Sequence, residues 1–290
     1  MWKVNMPSTK ELRARIRSVS NTAKVTGAMQ LIAASKMRRA QQNVIMGKKY
    51  AETIKSLLTN LSSSVDLERV NIPLLEKREI KNKLMILVTP DRGLAGALVG
   101  NINRKALEVI QSSKESYSIL SVGRKGFRFL NSREQDIVEQ LEIPDRPEIT
   151  DTLAISDIAI NGFLEQKWDQ VDLVYSEFIT TTAQVPKMQT VLPISNEEGE
   201  SSISDYIYEP SDYEVLIELT PKYVRSQIYQ SILEAFASEH SARMVAMQNA
   251  TDNASELIGE LTLDLNKARQ ETITAELLDL IGGIAALEGK

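Results

Sequence analysis

The sequence contains no cysteine, one histidine, and few glycines or prolines for its 290 residues. Without cysteine, disulfides, thiolate nucleophiles and cysteine-ligated zinc sites are excluded. The 13 glycines and 9 prolines disfavour disorder and leave most of the chain for helix or strand. No run approaches the roughly 20 apolar residues of a membrane-spanning helix, and the first residues lack the apolar segment of a signal peptide. His240 alone cannot form a histidine-rich metal site, so we interpret it as a helix-surface or interface residue.

The prolines leave two long segments without a helix breaker, residues 8–72 and 222–290. The first opens with Ser8 and Glu11, which have the spacing of a capping box. The second follows Thr220-Pro221, an N-cap hydroxyl with proline at the first helical position. We therefore predict one long helix at each end of the chain, the second beginning at Thr220.

Apolar and small residues recur along both segments in steps of three and four, as in the seam of a coiled coil. Gln30 in register and Gly27 beside it are exceptions. Each helix needs a seam partner, so we predict that the two pair with each other as an antiparallel coiled coil. The predicted seam residues are Leu12, Ile16, Val19, Ala23, Thr26, Ala33, Met37, Ala40 and Val44, and then Ile228, Ile232, Ala235, Met244, Met247, Ala254, Leu257, Leu261, Leu265, Ala268 and Leu277.

The residues between the helices change period and predict a small α/β domain of βαβ, Rossmann-like type. Strands are predicted at Leu84–Val88 and Tyr117–Val122, helices over about Ala97–Ile110 and Ile149–Phe163, and β-rich segments at Val171–Thr182 and Val185–Ile194. The predicted division of the chain is 1–72 for the first helix, 73–220 for the inserted domain and 221–290 for the last helix.

A glycine-containing turn, Asp91–Gly100, follows the first strand, where a phosphate-binding loop would lie. Its glycines at positions 93, 96 and 100 fit neither the dinucleotide fingerprint nor the P-loop, and no lysine follows to reach a phosphate. We therefore favour tight packing of strand against helix over a nucleotide site.

Charge is unevenly distributed although the net charge is only -5. Residues 1–50 carry eleven Lys and Arg residues against Glu11 alone. Such a stripe is typical of a solvated face, a nucleic-acid surface, or a helix against an acidic protein sleeve. Near the other end, Asp252, Glu256, Glu260 and Asp264 recur at steps of four on one helix face. Either cations of the partner helix neutralise this row, or it is an exposed solvated stripe.

Three blocks of sequence carry a family resemblance: RIRSVSNTAKVTGAMQLIAASKMRRAQ from Arg15, DRGLAG from Asp91, and the segment Ser241–Thr274 with SARMVAM and NKARQETIT. They resemble the gamma subunit of F-type ATP synthase, the central rotor shaft, in order along essentially the whole chain. Gly27 is a departure, because many members carry lysine there. The absence of cysteine and of a regulatory insert resembles bacterial members.

The resemblance implies a non-catalytic subunit of an enzyme complex, without nucleotide, cofactor or nucleic acid of its own. The terminal helices would lie inside a ring of three alpha and three beta subunits, with the insert beside the epsilon subunit and the membrane c-ring. Rotation would couple ion transport to ATP synthesis or hydrolysis, peripherally at the cytoplasmic face of a bacterial cell membrane. The ring contacts implied are Lys24, Met29, Arg243, Arg269, Gln270 and Thr274; contacts to epsilon or the c-ring are Tyr206, Tyr208 and Glu209.

Two other hypotheses remain open on the residues alone. The turn at Asp91–Gly100 would suit a nucleotide-binding α/β enzyme with helical extensions. The basic first helix would suit a coiled-coil adaptor that binds nucleic acid.

Overall fold

The computed structural model describes residues 8–64, 72–195 and 208–288. Within them the helices are α1 (Thr9–Ser64), α2 (Leu98–Ser112), α3 (Arg124–Asn131), α4 (Leu153–Leu164) and α5 (Asp212–Glu288). The strands are β1 (Asn82–Val88), β2 (Ser116–Val122), β3 (Ile137–Leu141), β4 (Gln170–Phe178) and β5 (Gln184–Leu192), and a 3-10 turn at Ile149–Thr152 precedes α4. The chain forms two compact units: Ala33–Val245 is one, and α1 up to Ile32 with α5 from Ala246 is the other. These compact units do not test the predicted domain bounds at residues 72 and 220, which stay a prediction.

The predicted start of the first helix is confirmed in atomic detail. Glu11 Oε2 accepts a hydrogen bond from the Ser8 backbone N–H at 2.8 Å, and Ser8 Oγ accepts one from the Glu11 N–H at 3.3 Å. This reciprocal pair is the capping box expected from the spacing.

The predicted start of the last helix at Thr220 is wrong, because α5 already begins at Asp212 and Pro221 lies inside it. Ser211 Oγ accepts a hydrogen bond from the Glu214 N–H at 3.3 Å, so the helix is capped nine residues earlier. A proline within a helix removes its own N–H donor and crowds the carbonyl four residues earlier, a cost of about 3 kcal/mol that the packing of the neighbouring turns has to offset.

Both long helices pair along the predicted seam. In one unit the hydroxyl oxygens of Thr26 and Thr251 lie 2.7 Å apart. In the other, Gln230 Nε2 donates to the Val44 carbonyl at 3.3 Å. Higher residue numbers of α1 meet lower numbers of α5, so the antiparallel pairing is confirmed. Every predicted seam residue of α1 is buried or half-buried, Gln30 included.

Two residues of the predicted α5 seam are exposed, and their assignment is wrong. The alternation of four and three runs Met247, Thr251, Ala254, Ile258, Leu261, Leu265 and Ala268, all buried or half-buried. Leu257 lies one position away from Ile258 and is therefore rotated out of the seam. Leu277 lies beyond the last seam residue and is 54% exposed.

The inserted segment forms a five-stranded sheet in the order β3-β2-β1-β4-β5, which confirms the α/β prediction. The first four strands are parallel, and β5 pairs antiparallel to β4. Alternate side chains of β1 face opposite sides, as a period of two requires. Leu84, Ile86 and Val88 pack with α4, the end of α1 and the first part of α5. Met85 and Leu87 pack with α2 and α3.

Candidate partner-binding surfaces

The part of α5 from Arg269 to Ile284 is exposed at every position. It carries six large apolar side chains that are 45% exposed or more: Ile273, Leu277, Leu278, Leu280, Ile281 and Ile284. At about 100° per residue all six fall on one half of the helix, with Glu271, Glu276 and Asp279 on the other half. A contiguous apolar face of this kind is typical of a surface that another molecule covers.

Three residues predicted as ring contacts, Arg269, Gln270 and Thr274, are exposed on the same half of the helix. The Thr274 hydroxyl donates to the Gln270 carbonyl at 2.9 Å, so its hydrogen bond is satisfied within the helix. We name the apolar residues with these three the distal face. The sequence prediction did not identify these apolar residues as an exposed surface, although helical projection would have shown it, and it wrongly placed Leu277 in the seam.

The outward side of α1 in the same unit has a similar character. Lys24 is exposed, and helical projection places it with the exposed Val25, Leu31 and Ile32, away from the seam. Met29 is half-buried at the edge of the seam. Both side chains are therefore accessible to a partner, Lys24 more than Met29.

The acidic row of α5 is an exposed stripe. Asp252, Glu256, Glu260 and Asp264 are all exposed. Among the ion pairs of the described residues, none involves this row. Neutralisation by cations of α1, one of two alternatives left open by the sequence, is therefore not seen.

Arg243, predicted as a ring contact, is held within the second unit. Its Nη2 donates to Glu239 Oε1 at 2.7 Å, and its Nε and Nη2 donate to the Gly93 carbonyl at 3.4 and 3.3 Å. Its side chain is only 12% exposed. Burial raises the pKa of Glu239, while the adjacent guanidinium opposes that shift. Arg243 thus links the turn after β1 to α5 by hydrogen bonds.

His240 lies one helical turn before Arg243 and is 4% exposed. Arg243 Nη1 lies 3.5 Å from His240 Nδ1, and since a guanidinium only donates, Nδ1 accepts and the neutral ring carries its proton on Nε2. Burial lowers the pKa of His240 to about 4, and the positive charges of Arg243 and Lys36 lower it further. Of the two predicted positions, the helix surface is wrong, because His240 is buried where α1, the loop 145–147 and α5 meet, and the ring is neutral at physiological pH.

The turn after β1 packs tightly and leaves little room for a nucleotide. A cavity at the carboxyl ends of β1 and β2 has a volume of about 70 Å³, whereas drug-sized ligands occupy roughly 300 Å³ or more. Gly123 has φ of 93°, and a Cβ there would lie 1.9 Å from the Thr89 carbonyl oxygen. Thr89 Oγ1 in turn accepts from the Gly126 N–H at 2.8 Å. These glycines permit close approach of backbone, which agrees with the packing interpretation.

The predicted epsilon and c-ring contacts are only partly within the described residues. Tyr208 is half-buried against the core of the sheet domain, and Glu209 is exposed. Tyr206 lies outside the described residues. In the described part of the chain, no helix is long and apolar enough to cross a bilayer, and no group of three or more His, Asp or Glu side chains could hold a metal ion.

Comparison with known proteins establishes the family. A family profile described as ATP synthase matches residues 8–287. The ATP synthase gamma chain of Roseiflexus sp. (strain RS-1) is 47% identical over 290 residues, covering 97% of this chain and 99% of the relative. This chain belongs to the ATP synthase gamma-chain family. The gamma chain of Dehalococcoides mccartyi (strain CBDB1) is 46% identical over 286 residues, covering 97% and 100%.

Solved structures share the fold of this chain. The rotor of Euglena gracilis mitochondrial ATP synthase aligns with a TM-score of 0.63 at 18% identity, covering 91% of this chain and 98% of that one. The central stalk of the Tetrahymena thermophila mitochondrial enzyme aligns with a TM-score of 0.58 at 23% identity, covering 78% and 99%. The family resemblance seen in the sequence is confirmed by the family profile and the gamma-chain relatives. The gamma chain is a non-catalytic subunit of the synthase.

Proposed function

We propose that this gamma chain is the central rotor shaft of a bacterial F-type ATP synthase. Its rotation would couple ion flow through the membrane c-ring to ATP synthesis or hydrolysis in a ring of three alpha and three beta subunits. The distal face carries this proposal, because an exposed apolar half-helix needs a covering partner in the assembled protein.

The proposed ring contacts are the distal face on α5 and the outward side of α1. On α5, Arg269, Gln270 and Thr274 would supply hydrogen bonds around the apolar residues. On α1, Lys24 would meet a carboxylate of the ring, and Met29 would adapt to a moving apolar surface. Arg243 would contribute only through the small exposed part of its side chain.

The proposed contacts with the epsilon subunit and the c-ring lie at the start of α5. Glu209 is exposed beside a groove formed by Val215, Ile217 and Leu219. Tyr206 and Tyr208 are assigned to the same contact on the family resemblance. The chain would thus be peripheral, at the cytoplasmic face of the cell membrane.

The decisive experiment compares two triple variants of the same helix. Ile273→Ser with Leu277→Ser and Ile281→Ser removes apolar contacts of the distal face. Glu271→Ser with Glu276→Ser and Asp279→Ser changes the opposite half by the same number of residues and is the matched control. Each tagged gamma chain is expressed in a host whose own gamma gene is deleted, and membranes are assayed for ATP synthesis, ATP-driven proton pumping and co-purified alpha and beta subunits.

We expect the distal-face variant to lose most ATP synthesis per assembled complex, whereas the control retains synthesis close to wild type. The reason is that the first variant removes three apolar side chains that the ring would bury, each worth roughly 1.5 to 3 kcal/mol. Equal effects of the two variants would contradict the role of the distal face. Failure of the wild-type chain to bring down alpha and beta subunits would contradict the proposed function itself.

A further inference from the structure

A second cavity, distinct from the distal face and from the turn after β1, lies within Ala33–Val245. It has a volume of about 240 Å³ and is bounded by α1, the loop 145–147 and α5. Its apolar surface comes from Ala40, Pro147, Leu233 and Phe236. An apolar cavity of about 150 Å³ holds benzene, so this one has room for a ligand of one or two rings.

The rim of this cavity is cationic. Lys36, Arg39 and Arg146 line it together with one carboxylate, that of Asp145. Lys36 Nζ already pairs with Asp145 Oδ2 at 2.5 Å. Arg39 donates to the neutral Ser35 hydroxyl at 3.0 Å, and neither arginine has an acidic partner among the described residues. Two guanidinium groups therefore face the cavity with their charge unbalanced.

His240 supplies a buried donor to the same cavity. The ring lines the cavity and is almost fully buried. Its Nδ1 lies 3.5 Å from Arg243 Nη1, which leaves Nε2 as the ring nitrogen that carries the proton. Because the ring is neutral, Nε2–H is a donor that adds no further charge. A neutral ring N–H beside two exposed arginines on the cavity rim favours an acceptor that carries negative charge.

We propose that this cavity binds a small aromatic carboxylate of one or two rings. The ring system fills the apolar part against Phe236 and Leu233, and the carboxylate accepts hydrogen bonds from Arg39, Arg146 and His240 Nε2. Arginine suits this role because its planar donors match a carboxylate and its face stacks on aromatic rings. None of the residues that line this cavity is among the proposed ring, epsilon or c-ring contacts.

The test titrates the full-length chain with 2-naphthoate by isothermal titration calorimetry, with 2-naphthamide as the neutral ligand of the same shape. We expect one naphthoate per chain and at least about tenfold weaker binding of the amide, because the amide loses the charge-assisted bonds. Equal affinity for the two ligands would overturn the proposal. So would the absence of naphthoate binding at millimolar concentration.

Protein variants locate the site. Arg39→Gln and Arg146→Gln should each weaken naphthoate binding by about five- to tenfold. Arg104→Gln removes an exposed arginine of α2 outside the cavity and should leave the affinity unchanged. Asn43→Trp should fill the cavity from α1 and abolish binding. Full binding by Asn43→Trp, or equal affinity of all three arginine variants, would place the probe elsewhere and refute the assignment.

A measurement on the unmodified chain covers the case in which Asn43→Trp fails to fold. Saturation of the Leu233 methyl groups should transfer magnetisation to the naphthoate ring protons, since these methyls line the cavity. Transfer only from methyls of the distal face, such as those of Leu277, would mean surface adsorption and contradict the proposal.

Discussion

Replacing His240 with glutamine should make the folded chain less sensitive to acid. The wild-type imidazole is buried between α1, the loop 145–147 and α5, where Arg243, Lys36, Arg39 and Arg146 are cationic and Asp145 is the acidic neighbour. Protonation would therefore add a positive charge to a buried and already positive site. Glutamine keeps an acceptor for Arg243 but has no charge to gain.

The magnitude follows from the pKa. Burial lowers the pKa of His240 from an ordinary value of 6.5 to about 4 in the folded chain. As pH falls below 6.5 the unfolded chain takes up the proton and the folded chain does not, so stability falls as pH falls. The loss is about 2 kcal/mol between pH 7 and pH 5 and approaches about 3 kcal/mol below pH 4, at roughly 1.4 kcal/mol per pKa unit.

The assay is urea unfolding of wild type and His240→Gln at a series of pH values, followed by circular dichroism. The buried Glu239, whose raised pKa acts with the opposite sign, is common to both proteins, so its contribution largely cancels in the difference. We expect the difference in unfolding free energy to be constant above about pH 7.5 and to shift in favour of the variant as pH falls. Parallel curves from pH 7 to pH 4 would refute the proposed burial of a neutral histidine.

Two further predictions concern the turn after β1. Gly123→Ala should lower the free energy of unfolding, measured by heat or urea, by at least about 3 kcal/mol, because the new Cβ meets the Thr89 carbonyl at positive φ. Gly100→Ala is the control: it has open space around it and should stabilise α2 by about 0.5 kcal/mol. Equal effects of the two changes would contradict the packing. Arg243→Met should lower the free energy of unfolding by about 3 kcal/mol, because it leaves Glu239 buried without its cation. Adding Glu239→Leu should recover most of that loss. If the effects of the two changes simply add, the stabilising ion pair is contradicted.

The seam was predictable because it depends only on side-chain spacing along one helix. The capping box at Ser8 and Glu11 was predictable for the same reason, since both partners are three residues apart. The start of α5 was missed although Ser211 and Glu214 have that same spacing. Pro221 favoured a predicted start at Thr220, but in a long packed helix a proline marks the start less reliably than a capping side chain does.

Features that depend on distant residues were not predictable. The hydrogen bonds of Arg243 to the Gly93 carbonyl join positions 150 residues apart, and neither local sequence indicates the other.

Two short elements were also missed. β3 was missed because it is a short edge strand whose side chains are mostly half-exposed, so its apolar alternation is weak. α3 was missed because eight residues are too few for a clear helical period.

The end of the pairing between α1 and α5 is encoded in α5 itself. Continuing the seam past Ala268 in steps of four and three reaches Thr272, Ala275 and Asp279, which offer no large apolar side chain to a partner. The large apolar residues from Ile273 to Ile284 instead lie on roughly the opposite side of the helix at about 100° per residue. A continuation of α1 along the same seam would contact the other side of α5 and would leave these residues exposed. We therefore propose that a different partner, approaching from another direction, covers the distal face, in keeping with the proposed ring contact of α5.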